Sequence, residues 1–237
     1  MDSPRRTARL AGLLYLVSSI PGAFALLYVP GKLVVEGNAS ATADRLRTSG
    51  SLLRLGIGAE ILGMTLFVFV ALVLYRLFRP TSPEPALWMV VLILLPMPIS
   101  FLSVVPEVAA LNLAGAADGS GYLSPIAALQ RDALAYFCLD LHGWAVMVAQ
   151  VFWGLWLFPF AICVIRSGFI PRFLGVLLVI AGCGHLAEAV AGLVFPQHAA
   201  AVDRIGGILT PAELPMIFWL LIWGARARPR PVSAAPV

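Results

Sequence analysis

The stretch FLGVLLVIAGCGHLAEAVAGLVF, residues 173–195, decides how this chain has to fold. It has the length of a helix that crosses a bilayer, since the hydrocarbon core takes roughly 20 apolar residues. Two ionisable side chains, His185 and Glu188, interrupt it. Placing such groups in hydrocarbon is costly, so they need protein partners or water.

The rest of the chain is built the same way. Of 237 residues, 60% are hydrophobic and 12% are charged, against about 25% charged in soluble domains. That much apolar surface cannot be hidden in one soluble core, so lipid is the expected solvent. The net charge of +4 is then no signal for nucleic acid; what matters is where the charges sit along the chain. Six apolar stretches are long enough to be spans or close to it: 8–29, 52–78, 86–113, 139–165, 173–195 and 212–225. The expected fold is all-α, a single membrane domain of six transmembrane helices. Pro96, Pro98 and Pro106 predict a kinked or broken third span, because proline donates no hydrogen bond and its ring clashes with the preceding turn. The sixth span is short and carries Pro215 near its start.

Local punctuation supports helices. Ser82-Pro83 and Ser124-Pro125 each read as an N-cap with proline at the first helical position. Thr210-Pro211-Ala212-Glu213 reads as a capping box, which gives Glu213 a local task. A surface helix is expected over 39–53, and a helix from Pro125 into the fourth span. The first apolar run carries Ala23-Phe24-Ala25, which looks like a cleavage site, but Leu26 to Val29 continue the run. It reads as an uncleaved span. Cys138, Cys163 and Cys183 show no metal spacing and read as small packing residues. The Asn38-Ala39-Ser40 sequon reads as idle in a bacterial chain, a source suggested by fifteen Arg against one Lys.

Arginine predicts the orientation. Ten basic residues (Arg5, Arg6, Arg9, Arg76, Arg79, Arg166, Arg172, Arg226, Arg228, Arg230) fall on the side of the termini, and six on the other. The positive-inside rule then places both termini in the cytoplasm of a bacterial inner membrane.

On that orientation the acids cluster in the outer halves of the spans. With a rise of 1.5 Å per residue, Glu60 lies roughly 12 Å deep, Glu188 roughly 10 Å and His185 roughly 15 Å. Glu107, Asp140, His142 and Glu213 fall near the outer boundary. Glycines flank both deep carboxylates on one helical stripe: Gly184 and Gly192 around Glu188, Gly56 and Gly63 around Glu60. Small residues let helices approach closely in lipid. Glu60 and Glu188 are therefore expected on helix interfaces, where they could meet, with Arg54 as a nearby counter-charge. His185-x-x-Glu188 shares a helix face, but as a single His-x-x-Glu it is a weak metal pattern. No nucleotide loop, nucleophile elbow or zinc-protease helix is present, so no cofactor, no metal and no nucleic-acid partner is expected.

These residues admit three readings. The first is a small transport-like or ion-sensing bundle with an outward-facing polar pocket. Its candidates are Glu60, His185, Glu188, His142, Glu107, Glu213 and Arg54, and its ligand a proton, a cation or a small molecule. The second is a structural or regulatory membrane partner whose buried carboxylates only fix helix packing. The third, ranked last, is a metal-dependent membrane enzyme.

Several long segments carry a resemblance. The opening RLAGLLYLVSSIPGAFALLYVPGKLVVEGNASATADRLRTSGSLLRLGIGAEIL (9–62), the segment LHGWAVMVAQVFWGLWLFPFAICVIRSGFIPRFLGVLLVIAGCGHL (141–186) and the closing PAELPMIFWLLIWG (211–224) resemble the bacterial membrane proteins catalogued as domain of unknown function 4386. The inner turn RSGFIPRFLG, residues 166–175, carries most of the specificity. The resemblance implies a multi-pass inner-membrane protein and brings no catalytic residues. It also implies that Glu60, His142 and Glu213, more than His185, are family-like positions.

Overall fold

In the computed structural model, residues 4–115 and 123–225 are described. Arg226, Arg228 and Arg230, which weigh in the expected orientation, lie outside the described residues, as do residues 116–122 between the third and fourth spans. Six helical segments are long and apolar enough to cross a membrane: α1 (Pro4–Leu33), α2 (Ala39–Phe78), α3 (Pro83–Gly115), α4 (Ala128–Ser167), α5 (Arg172–Val194) and α6 (Pro196–Ile222). No strand occurs among the described residues. Large apolar side chains stand exposed on every span, Leu13, Leu62, Leu102, Phe137, Val176 and Phe218 among them. Such an apolar outer belt marks lipid as the surrounding medium.

Each span packs on the next, and α6 returns to α1, so the helices form a closed ring of neighbours. α2 also touches α4 across the bundle. The closure between α1 and α6 is specific. Arg9 donates to the carbonyl of Ile222 at 2.8 Å, placing a cation on a helix C-terminus. Gly224 adopts φ +64 and its N–H reaches the Trp219 carbonyl at 3.0 Å, which ends the helix in a left-handed turn that glycine adopts without a Cβ clash.

Two apolar clusters fill the bundle. One, at the end of the termini, gathers Tyr15, Leu74, Phe78, Met89, Trp156, Phe160, Leu178 and Leu220. The other, at the opposite end, gathers Val29, Leu33, Leu46, Leu53, Ala110, Leu111 and Ala135. Between them α2 passes from Leu53 through Glu60 to Val70, α3 from Ile93 through Ser103 and Glu107 to Ala110, and α4 from Ala135 through His142 to Trp156. The antiparallel course of these helices therefore brings their polar residues to one level.

The helix ends depart from the expected punctuation in several places. α4 begins at Ala128 with Ala127 as its N-cap, so Ser124-Pro125 lies in a turn rather than at a helix start. Ser82 does precede α3 as its N-cap, but its hydroxyl makes no capping bond. The capping box at 210–213 does not form: Thr210 donates to the Gly206 carbonyl at 3.0 Å and Glu213 turns away to Tyr15. The helical segment containing 212–225 starts at Pro196, so it has ample length to span. The surface helix and the second span are one run, bent at Ser49, whose φ of −129 and ψ of 27 break the helical geometry. Asn38 caps it by accepting from Ala41 N at 2.9 Å, which gives the sequon asparagine a structural task. α3 breaks at Leu95–Pro96 and continues through Pro106, as the prolines predict. Cys163 is buried, whereas Cys183 is exposed on the lipid side of α5 and does not pack in the core.

The Tyr15 hydroxyl donates to Glu213 Oε2 at 2.8 Å, tying α1 to α6. Tyr15→Phe leaves that carboxylate short of a donor in a poorly solvated place. An unmet buried acceptor costs about 1–3 kcal/mol, so a lower thermal midpoint in detergent is the expected result.

Candidate functional site

The polar level holds Glu60 from α2, Ser103 and Glu107 from α3, and His142 from α4. All four are buried, and the three ionisable members are 5–7% exposed. His142 Nδ1 lies 3.0 Å from the Ser103 carbonyl oxygen. A carbonyl only accepts, so Nδ1 carries the proton. In the neutral ring, Nε2 is then a bare lone pair. It faces Glu60 Oε2 at 3.8 Å and Glu107 Oε1 at 3.9 Å. Ser103 Oγ lies 3.2 Å from Glu60 Oε1 and 2.7 Å from the Ser100 carbonyl, so its single proton is shared between them. Glu107 Oε2 is buried with no hydrogen-bond partner.

The sequence places these groups for simple reasons. Glu60 sits between Gly56 and Gly63, and those glycines let α1 approach: a Cβ on Gly63 would stand 3.2 Å from the Ser18 carbonyl, and one on Gly56 3.1 Å from Val29. Glu60 itself turns toward α3 and α4. Pro106 lies one residue before Glu107, in the part of α3 that also carries Ser100 and Ser103. Of the pair two apart on α4, His142 is buried in the bundle and Asp140 is only half-buried.

A cavity of about 50 Å³ adjoins the cluster, lined by Glu107 and His142 together with Val29, Val34, Leu53 and Leu139. A water needs about 10–15 Å³ on this measure, so a few waters fit. Its walls come partly from the end of α1, where a π-helical turn at Phe24–Tyr28 widens the helix and Val29 N bonds back to Phe24 O. Such turns insert one residue into a helix and recur at functional sites. Arg47 ties down the segment above. It pairs with Asp132 at the start of α4, lies 2.5 Å from Asp44, and donates to the Ala114 carbonyl at 3.2 Å.

The structure separates the expected residues into groups. Glu188 does not join Glu60. Its Oε2 accepts from Gln150 Nε2 at 2.6 Å, and the same amide lies 3.5 Å from His185 Nδ1. The carboxylate rests against Gly206 of α6, where any Cβ would overlap it. The glycine stripe around it meets the same two helices, not α2: Gly184 meets Leu209 and Thr210 of α6, and Gly192 meets Met147 of α4. α5 packs on α4 and α6, and Glu60 points toward α3 and α4, which is why the two carboxylates have different partners. Glu213 partners Tyr15. Arg54 is exposed and is no counter-charge within the cluster. Sequence reasoning passed over Ser103, Gln150, Tyr15 and Arg47. Gln150 carries the clearest missed signal, a lone amide in the apolar run AVMVAQVFWGL.

The family described as "Domain of unknown function (DUF4386)" matches residues 10–224. The chain belongs to the DUF4386 family. No curated protein and no solved structure matches it. This DUF4386 member is a multi-pass integral membrane protein, with six helices long and apolar enough to cross a membrane among the described residues.

Glu107 gives a test of what the cluster is for. Its Oε2 is a buried acceptor without a donor, a defect of about 1–3 kcal/mol. Glu107→Leu removes the defect with little change of volume and is expected to raise the thermal midpoint. A polar cluster kept only for packing predicts the reverse, a loss on the same measurement.

Proposed function

We propose that this protein is an ion-sensing membrane protein of the bacterial inner membrane, with both termini cytoplasmic and an acidic pocket open to the outer side. The carrying observation is that Glu107 and His142 line the small cavity beneath the outer end of α1, with Glu60 behind them. Two buried carboxylates share one imidazole, and among the described residues no arginine or lysine forms an ion pair with them. Charge buried without a counter-charge is unfavourable, so a small cation entering from outside changes the balance of the site. Sensing is favoured over transport because the other end is filled by tightly buried aromatic and aliphatic side chains, Phe78, Phe160, Leu74 and Met89 among them.

The test is labelling of Val34→Cys, a cavity-wall residue that is partly exposed, in a background without Cys138, Cys163 and Cys183. A membrane-impermeant maleimide added to intact cells should label it, and Glu107→Gln should change the rate severalfold. Failure to label in cells, with full labelling after denaturation, overturns the reading. The packing alternative has its own local support at Glu188, which Gln150 and Gly206 hold in place.

A further inference from the structure

We infer that Glu60, Glu107 and His142 bind one divalent first-row transition-metal ion, an inference that rests on the outward-facing pocket just proposed. Three observations carry it. One ligand atom from each residue lies within 4.8 Å of the other two. Bonds to such an ion run about 2.0–2.2 Å, so two donors on one ion stand at most roughly 4.3 Å apart. The separations of 3.8 and 3.9 Å from His142 Nε2 fall inside that limit, yet exceed hydrogen-bond length. Both carboxylates therefore face the same imidazole nitrogen without bonding it.

The second observation is the imidazole. Its Nδ1–H is fixed on the Ser103 carbonyl, which aims the Nε2 lone pair at the carboxylates. Metal-ligating histidines hold their other nitrogen in this way. Ser103 also orients Glu60 through its hydroxyl. The third is Glu107, whose Oε1 faces the imidazole while the Oε2 of the same carboxylate is buried without a hydrogen-bond partner. An ion satisfies it where no donor from the protein does.

The donor set fixes the class. Two carboxylates carry −2, which a divalent cation neutralises. Mixed oxygen and imidazole donors suit manganese, iron or zinc. Three protein ligands leave a further position, and the adjoining cavity of about 50 Å³ gives it room for water. Closed structural sites use four protein ligands, whereas an open position belongs to sites where water or the ion exchanges. This suits a site that samples ions from outside.

Metal-stripped, full-length protein in detergent is titrated with Zn²⁺, and with Mn²⁺ followed by electron paramagnetic resonance. One equivalent is expected to bind. Glu60→Gln and Glu107→Gln should each weaken binding at least tenfold. Ser103→Ala, which removes no ligand, should weaken it by about tenfold. Glu188→Gln should leave it unchanged. X-ray absorption of the zinc-loaded protein should show nitrogen and oxygen neighbours with an imidazole. No stoichiometric uptake of either ion, a sulfur neighbour, or undiminished binding in Glu60→Gln or Glu107→Gln overturns the inference. The Val34→Cys labelling is run without added metal. A pocket that labels but takes up neither ion sinks the metal and spares the pocket; a pocket that never labels sinks the sensing reading first.

Discussion

Gly154→Leu is expected to abolish the folded protein in detergent extracts. At this point α4 and α5 cross with their backbones nearly touching. A Cβ on Gly154 would stand 2.8 Å from the Gly182 carbonyl and 2.8 Å from Leu186 Cγ, and a Cβ on Gly182 would stand 2.9 Å from the Gly154 carbonyl. Beside the Leu186 side chain the obstruction is main chain, the Gly182 carbonyl, which cannot rotate away, so the helices have to separate. Overpacking costs about 1–3 kcal/mol where side chains can yield; here about 3 kcal/mol or more is expected. Yield of monodisperse protein and the thermal midpoint both read it. Gly58 is the control. It is exposed on α2 with nothing within 4 Å of a built Cβ. Gly58→Ala should leave yield unchanged and gain about 0.5–1 kcal/mol from helix propensity.

Arg47→Met should produce the other large effect, at the opposite end of the bundle. The guanidinium joins three elements: Asp44 on its own helix, the Ala114 carbonyl at the end of α3, and Asp132 on α4. Asp132 is nearly inaccessible, with its side chain 8% exposed, while Arg47 is 29% exposed. Breaking a fully buried pair from one side costs about 3–5 kcal/mol, since the remaining charge loses its partner. Water reaches Arg47, so about 2–3 kcal/mol is the expected loss. The double variant Arg47→Met with Asp132→Leu should recover most of it, because no orphaned carboxylate remains. The single variant should also speed Val34→Cys labelling, since Leu46 on the same helix walls the cavity. An unchanged midpoint in Arg47→Met would mean that the pair is solvated and holds nothing.

The two sites differ in how much of them can be read from residue order. Gly154 lies in AQVFWGLW with no marker of close approach. The glycines around Glu60 and Glu188 do mark interfaces, and each of them meets another helix. Which helix they meet is another matter. Periodicity assigns a residue to a face of its own helix and says nothing of the neighbour on that face. Similar depth and glycine-lined faces allow Glu60 to meet Glu188, yet the ring order instead gives it Ser103 and His142. Glu213 shows the same limit: Thr210 and Glu213 have capping-box spacing, but the helix is already running from Pro196, so there is no free N-terminus to cap.

By itself the sequence determined the class of molecule. Six runs of apolar residues leave lipid as the solvent, and backbone groups in lipid can be satisfied only within helices or closed barrels. Length and composition therefore lead to six helices, and prolines to the break in the third. It also determined that the ionisable residues needed partners. Only the tertiary structure decided which ones: Glu107 and His142 with Glu60, Gln150 with Glu188, Tyr15 with Glu213. The physical reason is that apolar faces are nearly interchangeable in lipid. The neighbours are chosen by close backbone contact and a few buried polar bonds, and both are properties of pairs of helices.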